Sequence, residues 1–287
     1  MMELAIANVS KKYSSKKYGL NDYSIRVSSG ILGLLGPNGA GKSTLIKIIS
    51  SISKPTTGTV LLNGNDIVKS PNYIRRMLGY LPQDFGVYPN LNAFEFLSYI
   101  AAMKGVGGKG LQERIEKLLM ELNLIEVANK QLGTYSGGMI QRIGIAQALL
   151  NDPKIIIFDE PTVGLDPEER LRFRDLISDL ASERIIILSS HIVADIESIA
   201  DEVAIMKDGV LLAKDSQEDI TELAAGKVYE TTVNKSNIQN FKEYHTVVSS
   251  YRFQDCFRVR YISETPFMDS EPVTETLEDA YIYLTRN

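Results

Sequence analysis

The stretch Gly36-Pro37-Asn38-Gly39-Ala40-Gly41-Lys42-Ser43-Thr44 decides the fold class of this chain. Its first and third glycines are separated by four residues and are followed by lysine and serine, which is the pattern of a phosphate-binding loop. Residues 31–35 before it are an apolar run typical of a buried strand, and residues 43–50 carry apolar side chains at helical spacing. Because the motif requires a strand on one side and a helix on the other, these flanks predict a site for a nucleoside triphosphate.

The residue types in this loop suit the binding of phosphate. Glycine lets the backbone turn tightly enough to aim N–H groups at phosphate oxygens, and the helix that begins near Lys42 adds the positive end of its dipole. Lys42 is expected to reach the β- and γ-phosphates, and the Ser43 hydroxyl is a candidate Mg²⁺ ligand. The predicted nucleotide contacts are Gly36, Pro37, Asn38, Gly39, Ala40, Gly41, Lys42, Ser43 and Thr44.

Composition limits the location and the partners. No apolar run approaches the ~18–20 residues that span a bilayer, and residues 1–10 lack the features of a secretory signal, so we expect a cytoplasmic location. The net charge of −5 disfavours nucleic acid as the principal partner, because it supplies no basic field for a phosphate backbone. Cys256 is the only cysteine, which excludes a disulfide within the chain.

The order of strand and helix patterns predicts an α/β fold. Residues 3–9, 22–27 and 60–62 are typical of strands and indicate an antiparallel edge, whereas residues 90–149 have helical patterns. Two buried parallel strands then follow, separated by a helix, and this alternation indicates a covered sheet. These two strands are predicted at residues 155–158 and 185–188.

A second, smaller domain is predicted because the pattern changes after about Lys214 to short strand-like pieces and one helix. We expect a nucleotide-binding main domain at 1–219, with a helical subdomain at about 84–150, and a small α+β domain at 220–287. The strand-like pieces are residues 231–233, 246–248 and 257–261.

The helix expected from about Thr276 has an N-terminal signal of its own, because Thr276 and Asp279 have the spacing of a capping box. Its apolar face needs a partner surface, and three remain open: the strands of the small domain, the main domain or a second subunit. The side chains on that face are Leu277, Ala280, Tyr281 and Leu284.

Asp159 and Glu160 end the apolar strand at 155–158, where a carboxylate emerging from a buried sheet faces the phosphate site. Asp159 suits Mg²⁺, directly or through water, and Glu160 is placed to polarise the water that attacks the γ-phosphate. The alternative is that one of them caps the turn at Pro161.

Ser136-Gly137-Gly138 precedes a long helical pattern, so its N–H groups and helix dipole predict a second anion site. With its neighbours Tyr135 and Met139, and lying just before the strand that ends in Asp159-Glu160, it resembles the signature of ABC-transporter ATPases. The usual signature has Leu and Gln at the two flanking positions. In the family, the serine and both glycines contact phosphate.

The same resemblance implies roles for four further residues. Gln83 matches the glutamine that senses Mg²⁺ and the γ-phosphate, and His191 matches the histidine that contacts the γ-phosphate. Asp166, in Gly164-Leu165-Asp166, matches the loop that crosses to a partner subunit, with a plain helix cap as a compatible alternative. Tyr13 stands where family members stack an aromatic ring on adenine, and Tyr18 is the competing candidate.

The resemblance implies a fold and a function. The fold is a P-loop NTPase core with an antiparallel β edge and a helical signature subdomain. The function is that of an ATP-hydrolysing motor subunit that uses Mg²⁺ and drives a separate permease at the cytoplasmic face of a membrane. The subunit is expected to work as a head-to-tail dimer, either with a second copy of itself or with a related ATPase subunit. Residues 81–105 and Thr276–Asp279 resemble the bacterial ABC-2-type exporters that include bacitracin-type systems.

The rival function is that of a soluble ABC-type ATPase in DNA repair or translation. Repair members carry a long coiled coil between the phosphate loop and the signature, whereas about 100 residues separate Gly36 from Ser136 here. Translation members usually carry two cassettes in one chain. A phosphate-loop kinase or GTPase would leave the ordered set from Gln83 to His191 unexplained.

Overall fold

A computed structural model of the chain describes residues 2–14 and 17–286. The strands in these residues are β1 (Glu3–Lys12), β2 (Tyr18–Ser28), β3 (Gly30–Leu35), β4 (Thr57–Leu62), β5 (Asn65–Asp66), β6 (Leu78–Leu81), β7 (Ile155–Asp159), β8 (Ile185–Ser190), β9 (Glu202–Lys207), β10 (Val210–Ser216), β11 (Val228–Asn234), β12 (Thr246–Phe253), β13 (Cys256–Ile262) and β14 (Glu271–Pro272). The α-helices are α1 (Lys42–Ile49), α2 (Pro71–Arg75), α3 (Ala93–Met103), α4 (Leu111–Glu121), α5 (Gly137–Leu149), α6 (Pro167–Leu180), α7 (Val193–Glu197), α8 (Gln217–Glu222), α9 (Ile238–Tyr244) and α10 (Leu277–Arg286).

The central sheet has the strand order β10-β9-β3-β8-β7-β6, and every neighbouring pair except β10 and β9 is parallel. Successive side chains of a strand point to opposite faces. Ile155 and Ile157 therefore enter one hydrophobic cluster, whereas Ile156 and Phe158 enter the other. Both faces are covered, which explains the continuous apolar runs. Parallel pairing also places the residues after β3, β7 and β8 at one edge of the sheet.

Different layers cover the two faces. An antiparallel sheet, in the order β2-β1-β4-β5, and helix α1 cover the first face. Helices α3, α4 and α5 form the helical subdomain over the second face, where α6 and α7 also pack. Arg114 on α4 ties this subdomain together, because it donates hydrogen bonds to the last carbonyls of α5, at Leu149 (2.7 Å) and Leu150 (2.6 Å).

The predicted fold class is confirmed: an α/β core with an antiparallel β edge, a helical subdomain and a small α+β unit. Strands β1 and β2 are longer than the predicted 3–9 and 22–27, because their pairing continues through irregular register after Val9. Such irregularity interrupts the alternation from which strand ends are read. Among the residues described, no helix has the length and apolar character needed to cross a membrane.

The small unit is an antiparallel sheet, in the order β12-β13-β11-β14, with α9 packed on it. Helix α10 follows this sheet in sequence and touches its strand β12, but its apolar face packs elsewhere: Leu277 and Ala280 are buried in the same cluster as Phe158 of the central sheet. Of the three partner surfaces that the sequence left open, the structure places this apolar face against the main domain.

The predicted division into two domains after residue 219 stays a prediction. The boundary between residues 219 and 220 falls inside α8, and Ile220 is buried in the cluster of the main domain. We propose that the second domain begins at about residue 227 and that α10 belongs structurally to the first.

Candidate functional site

The backbone of the loop between β3 and α1 adopts a conformation that requires glycine. Gly41 has a φ of 106°, and a Cβ added there would lie 2.4 Å from the carbonyl oxygen of Gly19. Only glycine fits a position with both a left-handed backbone and a contact this close. Helix α1 begins at the next residue, so its first N–H groups face the loop.

Lys42 is the first residue of α1, and its side chain folds back into the loop. Its Nζ donates hydrogen bonds to the carbonyl oxygens of Gly36 (2.6 Å) and Pro37 (3.3 Å). Burial lowers the pKa of Lys42, because it penalises the charged form, while the negative charges of Glu160 and Asp159 act in the opposite direction. The ammonium group is therefore a buried cation facing two carboxylates.

Asp159 is the last residue of β7, and its side chain is buried. Burial raises the pKa of Asp159, and hydrogen bonds to Ser189 and Ser43 oppose that shift. The Ser189 hydroxyl donates to Asp159 Oδ1 at 2.6 Å from the neighbouring strand β8. The carboxylate is thus fixed between the end of the sheet and the phosphate loop.

Glu160 follows directly and lies between two predicted site residues. His191 Nδ1 is 3.1 Å from its Oε1, and Gln83 Nε2 donates to its Oε2 at 3.3 Å. The backbone of Glu160 has a φ of 52°, a conformation that costs a residue with a side chain about 1–3 kcal/mol and persists only where the surroundings impose it. Ser189 contributes here too, because its hydroxyl accepts a hydrogen bond from the Glu160 N–H at 3.1 Å.

Of these residues, Lys42, Gln83 and Glu160 line an open cavity of about 540 Å³. Both candidate tyrosines line it, with Tyr13 55% and Tyr18 46% exposed. The Tyr13 hydroxyl lies 3.3 Å from the hydroxyl of Thr44 at the start of α1. The lining residues are Tyr13, Lys17, Tyr18, Gly19, Asn38, Gly39, Ala40, Gly41, Lys42, Ser43, Thr44, Gln83 and Glu160.

The second predicted anion site lies apart from this cavity. Ser136 caps α5 by accepting a hydrogen bond from the Met139 N–H at 3.2 Å. A Cβ added at Gly137 would meet no atom within 4 Å, so that side of the helix terminus is open. Within the described part of the chain, Ser136, Gly137 and Gly138 are not among the residues that line the cavity.

Asp166 forms the cap that the sequence suggested as one of its roles. Its carboxylate accepts from the Glu169 N–H at 2.8 Å, and Glu169 in turn accepts from the Asp166 N–H at 3.3 Å. Arg142 on α5 pairs with Glu169 at 2.7 Å and so joins α5 to the start of α6. The role of Asp166 toward a partner subunit remains a prediction.

Sequence reasoning missed two residues that hold the site together. Ser189 contacts both Asp159 and Glu160, and its only signal was a hydroxyl at the end of a buried strand. Gln141 on α5 donates to the carbonyl oxygen of Pro161 at 2.9 Å and thereby links the helix of the second anion site to the segment after Glu160. Each contact joins distant parts of the sequence, so no local pattern predicts it.

Comparisons with known proteins agree with the geometry. A sequence model described as "ABC transporter" matches residues 20–163. The chain is 33% identical to YxlF, an uncharacterized ABC transporter ATP-binding protein of Bacillus subtilis (strain 168), over 97% of this chain and 98% of that protein. It is 35% identical to ABC transporter A family member 8 of Dictyostelium discoideum, over 83% of this chain but 28% of that protein.

A solved structure is similar as well. It is the dimeric post-hydrolysis state of the ATP-binding cassette MJ0796 bound to ADP and Pi, with a TM-score of 0.68 and 27% identity. The match covers 74% of this chain and 98% of that one. The shared region therefore includes nearly the whole of that cassette.

Proposed function

This chain belongs to the ABC transporter family and is an ATPase, and from this premise we propose that it is the motor subunit that drives a separate transmembrane permease, in an exporter of the ABC-2 type. The observation that carries the proposal is the convergence of Lys42, Asp159, Glu160, Gln83 and His191 at one edge of the parallel sheet. A phosphate-binding loop and a positioned carboxylate are the parts that ATP hydrolysis requires.

The loop and Lys42 hold the phosphates in this proposal. The bonds from Lys42 Nζ to the Gly36 and Pro37 carbonyls keep the ammonium at the loop, where it exchanges them for β- and γ-phosphate oxygens. The charge of the phosphates favours the ammonium form, which offsets the effect of burial on the pKa of Lys42.

The residues present fit Mg²⁺, which prefers oxygen ligands and takes few of them from protein. Asp159, Ser43 and Gln83 supply a carboxylate, a hydroxyl and an amide oxygen, and Ser43 is close enough to Asp159 to lower its pKa. Mg²⁺ held there would neutralise charge on the β- and γ-phosphate oxygens.

Glu160 has the catalytic role, as the base that orients and polarises the attacking water. Its two oxygens are held by different residues, Oε1 by His191 and Oε2 by Gln83, which fixes the plane of the carboxylate. His191 is 42% exposed on its side chain and contacts Glu160, which lines the cavity, so it would contact the γ-phosphate there.

A head-to-tail dimer completes the site. Ser136, Gly137 and Gly138 present an open helix terminus away from the cavity of their own chain, so they serve the nucleotide of a second subunit, with Asp166 nearby at the same interface. The similar cassette MJ0796 is described as dimeric. ATP bound between the two subunits holds them together, and hydrolysis releases them.

The permease meets the chain at the cytoplasmic face of the membrane, near Gln83. Three aromatic residues follow Gln83 closely in sequence: Tyr88 is exposed, whereas Phe85 and Phe94 are half-buried against the helical subdomain. Tyr88 packs edge-on against the exposed ring of Tyr99 at 5.4 Å, and these rings with Pro89 and Leu91 form an apolar patch. We assign export as the direction of transport because residues 81–105 and Thr276–Asp279 resemble those of ABC-2-type exporters.

Mixing two inactive variants tests the dimer. Lys42→Ala disables the phosphate loop, and Gly137→Asp places a negative charge at the second anion site, in a position where the chain itself leaves room. Neither should hydrolyse ATP alone. Mixed dimers have one intact site, so an equimolar mixture should recover roughly a quarter of native activity if pairing is random.

Gly107→Asp is the matched control, because the Cβ position of Gly107 is equally open but lies in the loop between α3 and α4. This variant should retain native activity. An inactive mixture that also fails to dimerise in ATP and Mg²⁺ on size-exclusion chromatography would mean that the two sites do not combine across subunits.

Tyr13 is expected to stack on adenine. Tyr13→Ala should then weaken ATP binding by about 1–3 kcal/mol, or roughly 5- to 150-fold, because base stacking is lost. Little preference between ATP and GTP should remain. Tyr18→Ala is the matched control from the same cavity and should have a much smaller effect. Titration of both variants with a fluorescent nucleotide measures this, and a larger loss at Tyr18 would reverse the assignment.

A further inference from the structure

A buried carboxylate outside the nucleotide cavity connects three parts of the site. Asp195 lies on α7, four residues after His191, and its side chain is 8% exposed. Thr162 Oγ1 donates to its Oδ2 at 2.6 Å, and Ser190 Oγ lies 3.5 Å from the same oxygen. Arg170 on α6 pairs with its Oδ1 at 3.5 Å.

Each of these three partners lies within four positions of a residue of the proposed site. Thr162 follows Glu160 by two positions, and Ser190 directly precedes His191. Arg170 follows Asp166 by four positions, and its Nε donates to the carbonyl oxygen of Leu165 at 3.3 Å. One carboxylate thus joins the end of β7, the end of β8 and the start of α6.

The segment from Glu160 to Asp166 needs such support. It begins with the left-handed backbone of Glu160, and its backbone bonds are long, at 3.4 Å from Val163 to Glu160 and 3.2 Å from Leu165 to Thr162. A strained conformation persists only where the surroundings impose it. Side chains supply this constraint, at Pro161 through Gln141 and at Thr162 through Asp195.

We propose that Asp195 is a positioning residue for ATP hydrolysis, which fixes the carboxylate of Glu160 relative to His191. The inference rests on the roles proposed above for Glu160 and His191. Asp195 reaches Glu160 through Thr162 and His191 through Ser190, and within the described residues it does not line the nucleotide cavity. Its loss should therefore change kcat and leave ATP binding almost unaltered.

Steady-state kinetics of graded variants test this role. Asp195→Ala removes every contact and should lower kcat by roughly 10- to 100-fold, because a displacement of about 1 Å in a catalytic group has costs of this order. Asp195→Asn keeps an oxygen that accepts from Thr162 and should recover part of the rate. KM for ATP should stay within about twofold in both variants, since the phosphate contacts are untouched.

Variants of Thr162 separate positioning from general stability. Thr162→Val removes the donor at nearly constant shape and should lower kcat, whereas Thr162→Ser keeps the hydroxyl and should restore it. Adding Thr162→Val to Asp195→Ala should have little further effect, because both act through one contact. Asp152→Asn is the matched control. Asp152 pairs with Arg184 at 2.8 Å, away from the carboxyl ends of β7 and β8, so this substitution should leave kcat unchanged.

Two results would overturn the proposal. One is a kcat for Asp195→Ala within twofold of native in a folded protein, judged by its thermal unfolding midpoint. The other is a fall in kcat that is equally large in Thr162→Ser and in Thr162→Val. Glu160→Gln is measured in parallel to separate the proposed function from the role of Asp195. If the Glu160 variant is inactive and the Asp195 variant is fully active, only the positioning role is refuted.

Discussion

Replacing Glu160 with glutamine should lower kcat for ATP hydrolysis by roughly 10²- to 10⁴-fold, which is the usual contribution of a positioned general base. Glutamine keeps the shape of the side chain and one acceptor oxygen, enough for either Gln83 or His191, so most of the site geometry should survive while the base is lost. ATP binding should be unchanged, because Lys42 and the phosphate loop are intact. The ATP-bound dimer should then persist.

Two measurements check this expectation, the ATPase rate and size-exclusion chromatography in ATP and Mg²⁺. Glu183→Gln is the matched control, since Glu183 is exposed and precedes β8 at the edge of the sheet opposite the site. That variant should turn over ATP at the native rate. Near-native turnover by the Glu160 variant would remove Glu160 from the role of base.

Asp279→Ala should lower the free energy of unfolding by about 3–5 kcal/mol, which is the usual cost of removing one partner of a buried ion pair. The Asp279 side chain is fully buried and accepts hydrogen bonds from Arg260 Nε at 3.0 Å and from Arg260 Nη2 at 2.5 Å. It also accepts from the Thr276 N–H (2.8 Å) and hydroxyl (2.7 Å), so it caps α10 as well. The substitution removes the cap and leaves the Arg260 guanidinium with only its longer, 3.6 Å ion pair to Glu230.

Urea unfolding measures the loss. Glu278→Ala, at the exposed neighbouring position of α10, is the control and should change stability by less than about 0.5 kcal/mol. Adding Arg260→Met to Asp279→Ala should recover part of the loss, because it removes the charge that had lost its closest partner. A loss below about 1 kcal/mol for Asp279→Ala would mean that the pair is not a structural link.

The sequence predicted those features that short segments encode. The loop from Gly36 to Thr44 and the strands β7 and β8 follow from local patterns, because a glycine-rich turn and a continuous apolar run each have one dominant structural explanation. The capping pair Thr276 and Asp279 was predicted for the same reason. The resemblance to ABC-transporter ATPases then named Gln83 and His191, which the structure places on either side of Glu160.

Contacts between distant segments could not be predicted in this way. The apolar face of α10 was evident, but amphipathicity identifies a buried face without identifying what covers it. Thr162 and Asp195 are 33 positions apart and belong to different motifs, so neither residue indicates the other. Arg260 on β13 reaches Asp279 on α10, and only the packed structure shows that contact.

The position of α10 also affects how the protein is made. About 60 residues separate the end of β10 from Leu277, so a ribosome adding 5–20 residues per second takes roughly 3–12 s to synthesise them. For that interval the nascent main domain has every strand of its central sheet, yet the surface that Leu277 and Ala280 cover is still bare. We expect chaperones to engage this surface during translation, and a message cut short before codon 277 to yield a product that cellular proteases remove.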